Sequence, residues 1–205
     1  MGQITYFNLN NIITHFKCKT YVETGTGIGV SLQYALQHPF EKFYTVDIDK
    51  DLQESTKQNI NDSRVEYVNG LSTESLKLIV PKLDSVESVL FFLDAHLPGA
   101  DFHKITYEDS MKTYKEHSLP LEDELKIITS LRDTKNDVIV IDDLQLYDDG
   151  PFHHKTWIHG DLQKELGLRK SSNFIKEMFE KTHDIETLYA HQGYLLITPK
   201  TGTKE

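Results

Sequence analysis

Short apolar runs alternate with amphipathic stretches along most of the chain, a pattern that predicts parallel strands joined by helical crossovers. Residues Asn8 to Phe16 suit a lead-in helix. Thr20 to Thr24 reads as the first strand and Gly29 to His38 as the helix after it. Lys42 to Ile48 is the second strand, with helix following through Asn59, and Arg64 to Val68 is the third. That strand ends in the turn pair Asn69-Gly70, and Ser72 is placed to cap the next helix. Ser88 to Leu93 and Asp137 to Ile141 are nearly continuous apolar runs, as expected of strands buried on both faces. Late in the chain Ser172 to Thr182 is helical. Ile185 to Ala190 and Tyr194 to Thr198 are strands joined through His191-Gln192-Gly193, a link so short that the pair must be antiparallel.

Between the two apolar strands lies a polar stretch, residues 97–119, long for a connection in a compact domain and therefore read as a lid-like insertion. A helix opened by Pro120 follows it. Glu122, Asp123 and Glu124 in its first turn complement the helix dipole, which is reason enough for their presence. Residues 201–205 read as a flexible tail. No internal repeat or low-complexity tract interrupts the alternation, and 205 residues suit a single domain.

Composition narrows the function classes. With 38% apolar and 26% charged residues the chain is an ordinary globular protein, and no apolar run approaches the length that crosses a bilayer. Met1 to Tyr6 lacks the basic start and apolar core of a signal peptide. The lone Cys18 fits a reducing compartment, so a cytoplasmic location is expected, with Cys18 a structural thiol. The formal net charge of −10 argues against nucleic acid and anionic membrane surfaces as partners and favours a small acceptor.

Glu23-Thr24-Gly25-Thr26-Gly27-Ile28-Gly29 ends a strand and opens a helix, where glycines let the backbone turn sharply and approach a ligand. Asp47 ends the second strand, where a carboxylate can accept both hydroxyl protons of a ribose. Glu23-x-Gly25-x-Gly27-x-Gly29 resembles the first motif of class I S-adenosylmethionine-dependent methyltransferases, and Asp47 matches their ribose-binding acid. The terminal hairpin is similar to the end of that fold's sheet. The resemblance implies an α/β, Rossmann-like, seven-stranded and mostly parallel sheet with a terminal antiparallel hairpin and helices on both faces. It also implies S-adenosylmethionine as cofactor, held by Glu23, Gly25, Thr26, Gly27, Gly29, Asp47, Asn69 and Gly70. The rival is a nicotinamide-dependent oxidoreductase, whose fingerprint needs a glycine where Val30 stands. A second rival is a Rossmann-like module that binds but does not catalyse.

Ligands of open α/β sheets bind outside the carboxyl ends of the strands. Two strands here end in acids, Leu93-Asp94-Ala95-His96 and Ile141-Asp142-Asp143. Clustered carboxylates repel unless a cation is present, and a hard divalent ion (Mg2+ or Ca2+) suits the oxygen ligands of Asp94, Asp142 and Asp143. This pattern is similar to metal-dependent O-methyltransferases of the catechol and macrolide-sugar types. It implies O-methylation of a small molecule such as a sugar, with Asp94 and His96 in the catalytic role. His96 would be the base, because Leu97 stands where the catechol enzymes carry a lysine. Metal-free methylation is the remaining alternative, and homo-oligomerisation is left open. His103, His117, His153, His154 and His159 match no zinc spacing, and Tyr147, Phe152 and Trp157 are candidates for shaping an acceptor pocket.

Overall fold

The computed structural model describes residues 3–102, 104–153 and 171–200. The tail, His103, His154, Trp157 and His159 lie outside the described residues. The elements in chain order are α1 (Leu9–Phe16), β1 (Cys18–Thr24), α2 (Val30–Ala35), β2 (Lys42–Asp47), α3 (Lys50–Asn59), β3 (Val65–Asn69) and α4 (Ser72–Ile79). They continue with β4 (Ser88–Leu93), α5 (Tyr107–Tyr114), α6 (Leu121–Leu131), β5 (Val138–Ile141), α7 (Asn173–Phe179), β6 (His183–Leu188) and β7 (Tyr194–Pro199).

The seven strands form one sheet in the order β3-β2-β1-β4-β5-β7-β6, parallel except for β7, which runs antiparallel to both its neighbours. Alternate side chains of the buried strands feed two cores. Val89, Phe91 and Leu93 of β4 join Leu76, Leu125, Ile128 and Phe179 on one face. Leu90 and Phe92 join Leu9, Ile12, Leu32 and Phe43 on the other. Helices therefore cover both faces, as the nearly continuous apolar runs require. Cys18 is buried at the start of β1, and that burial pushes its thiol up to about 12, so it stays un-ionised. Among the described residues no helix is long and apolar enough to cross a membrane.

Several boundaries differ from the sequence expectation. The final hairpin's first strand begins at His183, two residues early, because its ring is buried and lies within hydrogen-bond reach of the carbonyls of Thr134 and Asp137. Ser72 does not cap α4. Leu71 takes the cap position without a side-chain bond, and Ser72 is the first helical residue. The insertion at 97–119 is more than a connection. Thr106 caps α5 by accepting from the Asp109 amide, and Leu97, Ala100 and Met111 form a small core of their own. Only Ser110 and Met111 of α5 are buried, too little to mark a helix by periodicity.

Candidate active site

The β1–α2 loop is assembled by the neighbouring strand. The amides of Gly25 and Thr26 both donate to the Val46 carbonyl, and the Gly27 amide donates to Asp47 Oδ2 at 2.8 Å. Asp47 Oδ1 accepts from the Asp49 amide, also at 2.8 Å. A carboxylate has about four acceptor sites, so Asp47 keeps roughly two for a ligand after organising both loops. Gly25 has a φ of 86°, and a Cβ there would stand 2.5 Å from the Asp94 carbonyl oxygen. Gly29 serves packing instead, since its Cβ would strike Ile60 and Thr56 of the α3 segment.

Above this loop opens a cleft of about 880 Å³, counting the open solvent in its mouth. Of the expected cofactor residues, Gly25, Thr26, Gly27, Asp47 and Gly70 line it, and Glu23, Gly29 and Asn69 do not. Asn69 turns its amide back to the carbonyls of Asp47 and Ile48. Not singled out for the cleft in the sequence are Ile48, Asp49, Leu52 and Ser72 on the same wall and Asp101 and Phe102 of the insertion, which also brings His117 to the lining. Lys104 pairs with Asp49, tying the insertion to the start of α3.

Glu23 lies beneath the loop. Its carboxylate accepts from Thr45 Oγ1 at 2.6 Å and from the Tyr21 hydroxyl at 2.9 Å, and Thr45 in turn contacts Thr26 Oγ1 at 2.6 Å. Burial lifts Glu23 to about 8 against the downward pull of those hydrogen bonds. The folded state therefore holds a proton that the unfolded chain releases near the usual glutamate range, and stability must fall as pH rises from about 4.5 to about 8. Glu23→Gln is expected to remove that part of the decline. Urea unfolding at pH 5 and pH 8 reads it, and equal losses in both proteins would show that Glu23 is ionised throughout.

The carboxyl ends of β4 and β5 meet the cleft at an acidic rim. His96 lies between three carboxylates: Nε2 is 2.7 Å from Asp143 Oδ2 and 3.7 Å from Asp101 Oδ2, and Nδ1 is 3.5 Å from Asp94 Oδ1. Burial alone would lower the His96 pKa, but Asp143 and Asp94 outweigh it and hold the ring well above its ordinary value. Burial pushes Asp94 up to about 6 against the pull of His96, and it lifts Asp142 well above the carboxylate range, with repulsion from Asp94 and Asp143 adding to the latter. Asp143 sits at φ 54° and Leu97 at φ 41°, left-handed conformations of the kind that cluster at functional sites.

The expected acid trio is brought together in altered form. Asp94 and Asp143 converge with His96, and one ligand atom from each lies within 4.8 Å of the others. Asp142 is outside that group. Its Oδ1 accepts from the Asp143 amide at 2.6 Å, and it faces a smaller cavity behind the rim together with Glu124. Glu124, read from sequence as a dipole-complementing acid, is 1% exposed. Burial raises it to about 7, and the hydroxyls of Ser72 and Thr24 are its polar neighbours. The signal was present: Leu121, Glu124, Leu125 and Ile128 follow helical spacing, so Glu124 lies on the core face.

No family model matches the chain. Among solved structures it is similar to a candidate caffeoyl-CoA O-methyltransferase from Staphylococcus aureus, with 16% identity, 98% of this chain and 85% of that one covered, and a TM-score of 0.60. An O-methyltransferase from Bacillus cereus in complex with SAH matches at 14% identity, 94% and 79% coverage and a TM-score of 0.59. A spermidine synthase from Thermotoga maritima matches at 15% identity, 95% and 60% coverage and a TM-score of 0.54. The chain has the Rossmann-like methyltransferase fold. Because a spermidine synthase shares that fold, the reaction has to be argued from the site.

Proposed function

We propose that the protein binds S-adenosylmethionine in this cleft and transfers its methyl group to a hydroxyl of a small molecule, with a divalent cation at the acidic rim. The observation that carries the reading is that one wall, Asp94 to His96, belongs both to the cleft over Gly25, Gly27 and Asp47 and to the cluster of metal-type ligands. Gly25 and Gly27 leave room for a ligand to approach the backbone, and Asp47 offers its remaining acceptor sites to ribose hydroxyls. Ile48, Leu52 and Leu71 supply an apolar flank for a base.

The residues at the rim also fit an ion. Asp142 Oδ2 and Asp143 Oδ1 are buried and lack a hydrogen-bond partner. The carboxylates of Asp94 and Asp143 would hold it, and such an ion lowers the pKa of a bound hydroxyl and orients it. The surrounding acids disfavour anionic acceptors. A neutral polyhydroxyl compound such as a sugar, or a cationic alcohol, suits the rim better.

Calorimetric titration with S-adenosylhomocysteine, with NAD as control, tests the reading. Binding is expected, and Asp47→Ala should weaken it about ten- to a hundredfold, the equivalent of losing a charged hydrogen-bond acceptor. Binding of NAD without S-adenosylhomocysteine would replace the methyl-transfer reading by a redox one.

A further inference from the structure

We propose that His96 is itself a metal ligand, and that the rim therefore selects a first-row transition ion over Mg2+ or Ca2+. The inference rests on the reading of the rim as an ion site and goes beyond it by assigning the donor set. An all-oxygen trio of Asp94, Asp142 and Asp143 suits a hard ion. The group that the structure assembles has an imidazole in the place of one carboxylate. Imidazole nitrogen suits the later first-row ions from Fe2+ to Zn2+, whereas Mg2+ and Ca2+ take oxygen ligands; Mn2+ accepts both kinds of donor and so serves as a spectroscopic reporter of the donor set.

Geometry supports this donor set. Ligand bonds of about 2.0–2.2 Å allow donor atoms on one ion to stand up to roughly 4.4 Å apart. The three donor atoms already lie within 4.8 Å of one another, so small side-chain shifts suffice. His96 also has an acid at each ring nitrogen, Asp143 at one and Asp94 at the other.

Independently, Asp143 Oδ1 lacks a hydrogen-bond partner although the residue is only 2% exposed, while its Oδ2 stands 2.7 Å from His96 Nε2. A buried carboxylate left so is costly unless a cation completes it.

The test loads the metal-free full chain with Mn2+ and looks for a directly coordinated nitrogen by pulsed electron paramagnetic resonance, with Mg2+ as competitor. The expected result is a nitrogen coupling in the wild type and, in competition titrations, a Zn2+ preference over Mg2+ of at least about tenfold. In His96→Asn, which offers an amide oxygen instead, the coupling should vanish and the preference fall about tenfold. Bound Mn2+ without a nitrogen coupling in the wild type would overturn the proposal, as would a coupling that survives in His96→Asn. If His96→Asn does not fold, Asp143→Asn serves, with weaker Mn2+ binding and the nitrogen coupling retained; a lost coupling there counts against the assignment. S-adenosylhomocysteine binding without any Mn2+ binding sinks this inference alone. A Mn2+–nitrogen signal without S-adenosylhomocysteine binding sinks the methyl-transfer reading instead and leaves the metal site standing.

Discussion

Gly25→Ala is expected to abolish binding of S-adenosylhomocysteine and to lower the melting temperature by roughly 6–12 °C, the shift that about 3 kcal/mol produces in a domain of this size. Two effects add. The residue sits at φ 86°, where a side chain costs on the order of 1–3 kcal/mol. Its Cβ would also stand 2.5 Å from the Asp94 carbonyl oxygen and 2.9 Å from the carbonyl carbon, both backbone atoms of a buried strand end that cannot swing aside as a side chain could. Relief requires the β1–α2 loop and the end of β4 to part, and that movement separates Gly27 from Asp47 and displaces the rim at Asp94 together. Gly27→Ala should be milder in stability, because its Cβ meets only the Phe102 ring at 3.0 Å and that ring can turn. Thermal melts and calorimetry on both variants separate the two cases. A Gly25→Ala protein that melts with the wild type and still binds the nucleoside would mean that the loop does not approach β4 as described.

That difference between two glycines of one motif shows where sequence reading stops. That Gly25, Gly27 and Asp47 meet at one cleft was legible, because glycines at a strand-to-helix turn and an acid ending the next strand fall on the same rim of a parallel sheet. The sheet was legible too. Its central strands are apolar on both faces, and the tight link before Tyr194 allows only an antiparallel partner. What Gly29 does was not legible, since its reason is Thr56 and Ile60, some thirty residues away. Glu23 resembles a cofactor residue in the motif, yet its carboxylate is taken up by Tyr21 and Thr45. The rim shows the same limit. Two acid-ended strands predicted a cluster, but the left-handed turn at Asp143 decides which carboxylate joins His96. Asp142, bonded to the next amide, is left facing Glu124.

The opposite end of the central strands provides a variant that should damage the fold and spare the site. Arg132→Met is expected to cost about 3–5 kcal/mol, the range for breaking a buried ion pair from one side. Arg132, at the end of α6, and Asp137, just before β5, are 4% and 0% exposed in their side chains, with Nε to Oδ2 at 2.6 Å. The guanidinium also donates to the carbonyls of Asp84 and Glu87, and Asp137 Oδ1 accepts from the Val89 amide at 2.9 Å. One pair thus fastens the starts of β4 and β5 to each other. Removing the arginine strands Asp137 as a buried unpaired charge. Replacing Asp137 by Leu in the same protein should recover part of the loss, because two apolar side chains leave no charge unpaired. The ligand cleft lies at the carboxyl ends of these strands, so nucleoside affinity measured well below the melting temperature should stay within about twofold of wild type, as expected for distant, independent positions. Urea titration and calorimetry on the single and double variants read both quantities. A single variant as stable as wild type would show the pair to be solvated. One that loses the nucleoside while folded would show that the two ends of β4 and β5 move as one unit, and the site would then depend on this anchor as well as on its own loops.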